Sequence, residues 1–379
     1  MKAEQEAVAL AIQADIASVI VGPPGVGKSR MLDLIANMLG SRCDKCDTSA
    51  ELLIASIRDQ TDFSGMPMII KGEFQLAGMP WTRHVCQMAD ELEGRGAKYV
   101  IVFLDELSNT PVSLHGPLMQ VVLDKRCGDV TLPKATRFML AMNPPEQAAG
   151  GWNISPPLAN RMLWLPYTVD LDAWAEGMIG GFRNVTSVPI APEGWEVGHI
   201  PAMIQIAAFL KRFPQHFNCM PKEEDARSGP WPSSRTWDMA GKLKAICEAT
   251  KVSLDTWSLL LSGAVGSGVA MEFINWEKMI DIPDPEVLLK DPEGFKLDPK
   301  RGDICFVILA GVVAAYARKK TLNRWNAAWV VLRKAADAGA ADIAVSAVRI
   351  LLNNRRGDYP MPINSYEPFI VLLEDAKLI

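Results

Sequence analysis

The chain is short of histidine, has no second CxxC pair, carries no excess of positive charge and contains no long apolar run. Each shortage excludes a class of protein. Its four histidines, His84, His115, His199 and His216, are scattered. A structural zinc needs four ligands. Cys43-Asp44-Lys45-Cys46 is therefore half a site without its other half, and the two thiols are read as coincidental. Seven cysteines in 379 residues do not make a disulfide scaffold. The odd count, with an opening MKAEQEAVAL that lacks an apolar core, leads to the expectation of reduced thiols and a cytoplasmic location. The longest apolar run, residues 304–316, is too short to span a bilayer and reads as a buried helix. A formal net charge of −5 denies the chain the overall basic field of a non-specific nucleic-acid binder, though a local basic groove stays open. There is no internal repeat and no low-complexity tract.

What is present describes a globular protein, with 49% hydrophobic and 22% charged residues. The length fits two or three domains. Residues 4–14 have a helical apolar face, and residues 18–21 form a short apolar strand. A glycine-rich loop follows, then a helix over 30–39 with Gly40 as its stop. Residues 50–57 read as a further helix, 59–80 as a hairpin or irregular insertion, and 82–93 as helix again. Residues 99–104 are a continuous apolar β-type run, as expected of a central parallel strand. A helix over 111–124, a tight hairpin over 126–133 turning at Gly128-Asp129, and a buried strand over 137–142 complete the alternation. The predicted fold is α/β, a three-layer P-loop core with a parallel sheet over 1–165. A Pro-, Gly- and Trp-rich linker or insertion over 166–232 and a mostly helical region over 233–379 follow.

Three positions carry chemistry. Gly22-Pro23-Pro24-Gly25-Val26-Gly27-Lys28-Ser29 matches G-x-x-x-x-G-K-[ST] and sits between strand and helix. Its glycines let backbone N–H groups turn toward phosphate oxygens, Lys28 reaches the β and γ phosphates, and Ser29 offers a hydroxyl to Mg²⁺. Arg30 closes the set of residues expected to bind ATP. The apolar strand ending in Asp105-Glu106 puts acids beside those phosphates. Asp105 is the expected Mg²⁺ residue, and Glu106 the one that orients the attacking water. Asn143 ends the next strand and precedes Pro144-Pro145, where an amide can bond the γ-phosphate or the water.

GPPGVGKS, FLDE, AMNPP and ISPPLANRM together resemble an AAA+ ATPase, and more narrowly its MoxR-type branch. The likeness is close over 1–165 and thinner to about residue 315. It implies ATP hydrolysis with Mg²⁺ in a homo-oligomeric, six-membered ring that remodels a protein client, with a von Willebrand factor A-type partner. No D-x-S-x-S motif occurs in this chain, so such a partner would be a separate protein. The resemblance gives Arg161 the role of an arginine finger for the neighbouring subunit's nucleotide, with Arg137 in reserve. It makes Arg235, at the start of a lid helix capped by Ser233 or Ser234, a second sensor of the nucleotide. The insertion over 59–80 and the hairpin over 126–133 match elements that face the pore or substrate. The chain departs from the family in having Leu107-Ser108-Asn109 after Glu106, where E-I-N-R is usual. It also has Asn160-Arg161-Met162 where D-R-F is common.

Two other readings remain. One is a nucleic-acid motor or antiphage ATPase subunit, for which Arg318-Lys319-Lys320 and Arg324, with Tyr316 and Trp325, would be the contact surface. The other is an ATP-gated scaffold ring that recruits an effector. His115 is expected on a helix surface or at an interface, and Trp164, Trp174, Trp231 and Trp237 in packing around the core–lid transition.

Overall fold

The structure, a computed structural model, describes residues 2–41, 49–70, 72–95, 98–147, 153–180, 187–294 and 296–375. Cys43 and Cys46 lie outside them. In chain order the first half holds α1 (Lys2–Gln13), β1 (Ser18–Val21), α2 (Lys28–Ser41), β2 (Ser49–Ile54), α3 (Gln60–Ser64), β3 (Met66–Ile70), β4 (Glu73–Ala77), α4 (Pro80–Arg95), β5 (Val100–Asp105), α5 (His115–Asp124), β6 (Arg126–Cys127), β7 (Val130–Thr131), β8 (Thr136–Met142), α6 (Pro156–Ala159), β9 (Leu163–Pro166) and α7 (Leu171–Gly180). The second half is helical: α8 (His199–Arg212), α9 (Ser234–Thr250), α10 (Leu254–Val265), α11 (Ser267–Lys278), α12 (Pro285–Lys290), α13 (Gly302–Arg318), α14 (Leu322–Asp337), α15 (Ala341–Asn353), α16 (Ile363–Tyr366) and α17 (Ile370–Asp375).

Contacts divide the chain into two units that interleave in sequence. The first takes residues 1–196 and 218–271, the second 197–217 and 272–379. The expected boundary at 232/233 therefore falls inside the first unit. There, α10 packs on α1 and β9.

The first unit is α/β. A five-stranded sheet runs β2-β5-β8-β1-β9, with every pairing parallel. Val100–Leu104 and all of β8 except Arg137 are buried. A strand whose successive residues are all buried is covered on both faces, which is why these segments read as unbroken apolar runs. The core is built around Val102, Leu104, Leu118, Leu140 and Trp164. Residues 50–57 depart from expectation. Instead of a helix they form β2 and a 3₁₀ turn, Ala55–Ile57. Ala, Glu and Leu favour helix locally, but the whole of β2 finds a parallel partner in β5, and that pairing prevails. Gly40 does not stop α2, which continues through it to Ser41.

The insertion over 59–80 resolves into α3 and the antiparallel hairpin β3–β4. Asp59 caps α3, and Asp62 returns the bond to the Asp59 amide. The hairpin β6–β7 is fastened to β4. The Asp129 amide donates to the Leu76 carbonyl at 2.7 Å, and the Asp129 carboxylate accepts from the Gly78 amide at 2.6 Å.

The second unit is all helical. Tyr316, Trp325 and Trp329 are buried at its centre, with ring centroids 5.5 and 5.7 Å apart along that series. The stacking surface considered for nucleic acid is thus internal packing. Arg324 is held by the Glu286 carboxylate at 2.6 and 2.9 Å. The apolar run 304–316 lies within α13, most of it buried. Among the described residues no helix is long and apolar enough to cross a membrane.

Candidate functional site

The site begins at the carboxyl end of β1. The register Val21↔Met142 sets the next residues of the two strands, Gly22 and Asn143, side by side. The Gly22 amide extends the ladder by donating to the Met142 carbonyl at 3.2 Å. The chain then turns through the loop and enters α2 at Lys28, whose side chain folds back over it. Its ammonium donates to the carbonyls of Gly22 at 2.8 Å and Pro23 at 3.0 Å, and to Asn143 Oδ1 at 2.8 Å. Three acceptors match the three donors of the ammonium. Burial pushes the Lys28 amine below its ordinary pKa, and the Asp105 charge opposes that shift.

One strand further out, β5 delivers the acids. Asp105 Oδ2 accepts from the Ser29 hydroxyl at 3.1 Å, and Oδ1 accepts from the Glu106 amide at 2.8 Å. Glu106 itself adopts a left-handed backbone, φ 59°. Its carboxylate accepts a short hydrogen bond from the Ser56 hydroxyl. Ser56 lies in the turn after β2 and was not singled out from the sequence. Reading 50–57 as a helix hid it. A polar residue just past a strand that borders β5 is the signal that would have found it.

The loop fits a polyphosphate. Gly25 and Gly27 have φ of 79° and 81°, and nothing lies within 4 Å of where a Cβ would stand on either. Their amides therefore border open space, as a phosphate cradle requires. Ser29 and Asp105 are hard oxygen donors in mutual contact, suited to Mg²⁺. Pro24 is exposed and Pro23 and Val26 are half-buried along the same loop. Arg30 is exposed on α2 and makes no hydrogen bond or ion pair among the described residues.

Arg161 and Arg235 form a second group. Arg161 lies between α6 and β9, two residues before Leu163, which pairs with Ser18 at the amino end of β1. Lys28 closes over the other end of that strand. About 10 Å of strand lies between the two levels, at about 3.3 Å per residue. The Arg161 guanidinium donates to the Pro157 carbonyl at 2.8 Å. Burial lowers its pKa, the Arg235 charge lowers it further, and Asp124 pulls the other way. Arg235 is exposed at the start of α9 and has no hydrogen bond or ion pair among the described residues. Its charge acts on Arg161.

Arg137 is fully engaged elsewhere. It donates to the carbonyls of Ile12, Lys134 and Thr136, pairs with Asp15 at 3.4 Å and lies over the Tyr99 ring. It also sits near the start of β8, the strand whose far end carries Asn143. His115, expected on a surface, is buried; its Nδ1 accepts from the Ser155 amide at 3.3 Å, and burial lowers its pKa. Trp164 and Trp237 are buried and Trp174 is exposed. Among the described residues no cluster of three or more His, Cys, Asp or Glu could hold a metal ion.

No family model matches the chain, and no curated protein matches it. Solved structures do. One is a protein from Cytophaga hutchinsonii ATCC 33406, named in its description as an ATPase, at 12% identity over 71% of this chain and 87% of that one, with a TM-score of 0.44. C. elegans PCH-2 matches at 11% identity over 80% of this chain and 66% of that one, TM-score 0.27. A RuvB point mutant of Thermotoga maritima matches at 15% identity over 96% and 92%, TM-score 0.28. At likenesses this low, what the site does has to follow from its own geometry.

Proposed function

We propose that this chain hydrolyses ATP as one subunit of a ring-forming AAA+ motor of MoxR type. In this reading it remodels or assembles a protein complex together with a von Willebrand factor A-type partner. The branch and the partner rest on the likeness of GPPGVGKS, FLDE, AMNPP and ISPPLANRM to that family. The shared site rests on one observation: Lys28 and Arg161 belong to opposite ends of the paired strands β1 and β9.

The roles follow from the contacts. Loop amides of Gly25, Val26 and Gly27 bind phosphate oxygens. Lys28 exchanges its bonds to the loop carbonyls for bonds to the β and γ phosphates, regaining with their charge what burial takes from its ammonium. Ser29 and Asp105 would hold Mg²⁺, and the ion would supply neutralisation of charge on the phosphate oxygens. Asn143 is within reach of Lys28 and so of the γ-phosphate. Glu106, once released by Ser56, orients water for in-line attack on the γ-phosphorus, giving ADP and phosphate. Arg161 cannot serve its own nucleotide across the length of the sheet. It serves the nucleotide of the next subunit, which makes the contact between subunits heterologous and ring-forming.

Mixing two inactive variants tests this. Lys28→Ala keeps the finger and loses the loop; Arg161→Ala keeps the loop and loses the finger. Each alone should fall about 10³-fold or more in turnover, the range of an arginine finger. Mixed in equal amounts, about a quarter of the contacts in a head-to-tail ring pair an intact loop with an intact finger, and activity should return to that order. If the mixture is as inactive as its components, the shared site is wrong.

A further inference from the structure

Arg161 and Arg235 come from segments far apart in sequence, yet a buried side chain beside Arg161 joins those segments next to both arginines. Asn160 precedes Arg161, and Ser233 lies two residues before Arg235. Asn160 Oδ1 accepts from the Ser233 hydroxyl at 2.7 Å, and Asn160 Nδ2 donates to the Trp231 carbonyl at 3.1 Å. We propose that Asn160 is a positioning residue: its amide fastens the amino end of α9 to the end of α6, so that Arg161 and Arg235 are presented as one two-cation grip for the neighbouring subunit's phosphate. This rests on the shared site proposed above.

The chemistry of the joint calls for an amide. One oxygen must accept and one nitrogen must donate, in a place where Asn160 is almost wholly buried. A carboxylate could still accept from Ser233, but it would face the Trp231 carbonyl oxygen with no proton to offer. The usual aspartate before the finger would therefore not make this joint, and the departure Asn160-Arg161 gains a physical reason. The partners have little capacity to spare. The Ser233 hydroxyl donates to Asn160 and accepts from the Thr236 amide at 3.2 Å, capping α9. The Trp231 carbonyl accepts from both Asn160 and the Thr236 hydroxyl, the latter at 3.1 Å. Removing the Asn160 amide leaves the Ser233 hydroxyl without this acceptor and the Trp231 carbonyl with Thr236 alone, which loosens the amino end of α9.

What the joint holds together is unfavourable by itself. Burial disfavours the charge on Arg161, and Arg235 disfavours it further. Neither guanidinium has a carboxylate at salt-bridge distance among the described residues. Asp124 offsets these penalties only at longer range, so two like charges without a salt-bridged partner suit a ligand bearing more than one negative charge, and the terminal phosphate of ATP is such a ligand.

The test uses the full chain, with ATP turnover, affinity for a fluorescent ATP analogue and unfolding temperature as readouts. Asn160→Ala should lower kcat by about 100-fold, the cost of misplacing a group by about 1 Å. Analogue affinity should stay within about twofold, because the chain's own loop is at the other end of the sheet. In a background lacking both arginines, Arg161→Ala with Arg235→Ala, Asn160→Ala should lower kcat by no more than about twofold further, since it acts through those two side chains. Stability falls in either case, because buried polar groups lose partners; a merely structural role would also move affinity and would multiply with the loss of the two arginines. The isosteric Asn160→Asp should reproduce the loss of kcat, and it carries the test if Asn160→Ala does not fold. Wild-type kcat in both Asn160 variants, with Arg161→Ala impaired, overturns the positioning role alone. Wild-type kcat in Arg161→Ala overturns the shared site itself.

Discussion

Two glycines of the phosphate loop are required for different reasons, and substitution should separate them. A Cβ on Gly22 would stand 2.3 Å from the Tyr167 carbonyl oxygen and 3.4 Å from its carbon. Ordinary carbon–oxygen contact begins about 1 Å further out. The obstacle is backbone, and it is fixed, because the Tyr167 amide donates to the Val21 carbonyl at 2.8 Å. Gly22→Ala must therefore part β1 from the exit of β9. Overpacking of this kind costs about 1–3 kcal/mol. For a unit of this size each kcal/mol is worth about 2–4 °C, so unfolding should come about 2–12 °C early. Lys28 anchors on the Gly22 carbonyl, so ATP affinity should fall as well. Gly25 differs: its φ is 79° and nothing lies within 4 Å of a built Cβ. Gly25→Ala strains only the loop, by about 1–2 kcal/mol, which weakens ATP binding about 5- to 30-fold. With open space around it the empty loop can relax out of that strain, which returns on binding, so the unfolding temperature should move by no more than about 3 °C. Scanning fluorimetry and titration with a fluorescent ATP analogue read both quantities. A Gly22→Ala protein with wild-type stability, or a Gly25→Ala protein less stable than Gly22→Ala, refutes the reasoning.

Two predictions concern other parts of the chain. Burial pushes the Asp303 carboxyl up, but hydrogen bonds from Arg301 and Trp276 and the Arg301 charge outweigh it and hold its pKa at about 2. A depressed carboxylate stabilises the fold above its unfolded value of about 3.8 and loses that contribution as pH falls toward 2; the shift corresponds to about 2 kcal/mol. Asp303→Asn should thus be destabilised at pH 6 by about that amount, with the deficit shrinking toward pH 2 in denaturant melts; a pH-independent deficit counts against it. Asp129→Ala should loosen β3–β4 from β6–β7 by removing the acceptor of the Gly78 amide, speeding hydrogen exchange at Gly78 about tenfold while leaving ATP affinity unchanged. Unaltered exchange would mean that the hairpins are held by other contacts.

The central strands of the first unit were legible in the sequence because each residue answers to one demand. Val100–Leu104 must be apolar to lie in the middle of the sheet, and the loop must hold glycine where φ is positive. Contacts among Lys28, Ser29, Asp105 and Asn143 follow from parallel register once those strands are recognised. Ser56 was hidden because Ala, Glu and Leu in β2 suit a helix, and only β5 decides otherwise. The company Arg235 keeps was hidden too. A helix-start arginine has no address until the helix is docked; α9 packs on α10 and α1, and an asparagine in the turn after α6 fastens its amino end. The two units could not be read as blocks, because 197–217 belongs with 272–379.

The geometry also constrains how a motor built on this sheet could move. The P-loop and Arg161 are linked by β1 and β9, four residues each, hydrogen-bonded along their length and buried at almost every position. Packed parallel strands do not stretch or bend by ångströms, so the two ends of this path shift together. In the proposed ring, a subunit that binds ATP at one end could therefore not withdraw Arg161 from its neighbour by deforming the sheet. Two movements remain. The whole unit can rotate at the contact between subunits, carrying both arginines with it. Alternatively α9 can shift on α6, which means breaking the bonds of Asn160 to Ser233 and Trp231. The first keeps the two guanidiniums together and the second parts them. If the first operates, a disulfide placed across the α6–α9 joint leaves turnover intact. If the second operates, it stops turnover until it is reduced.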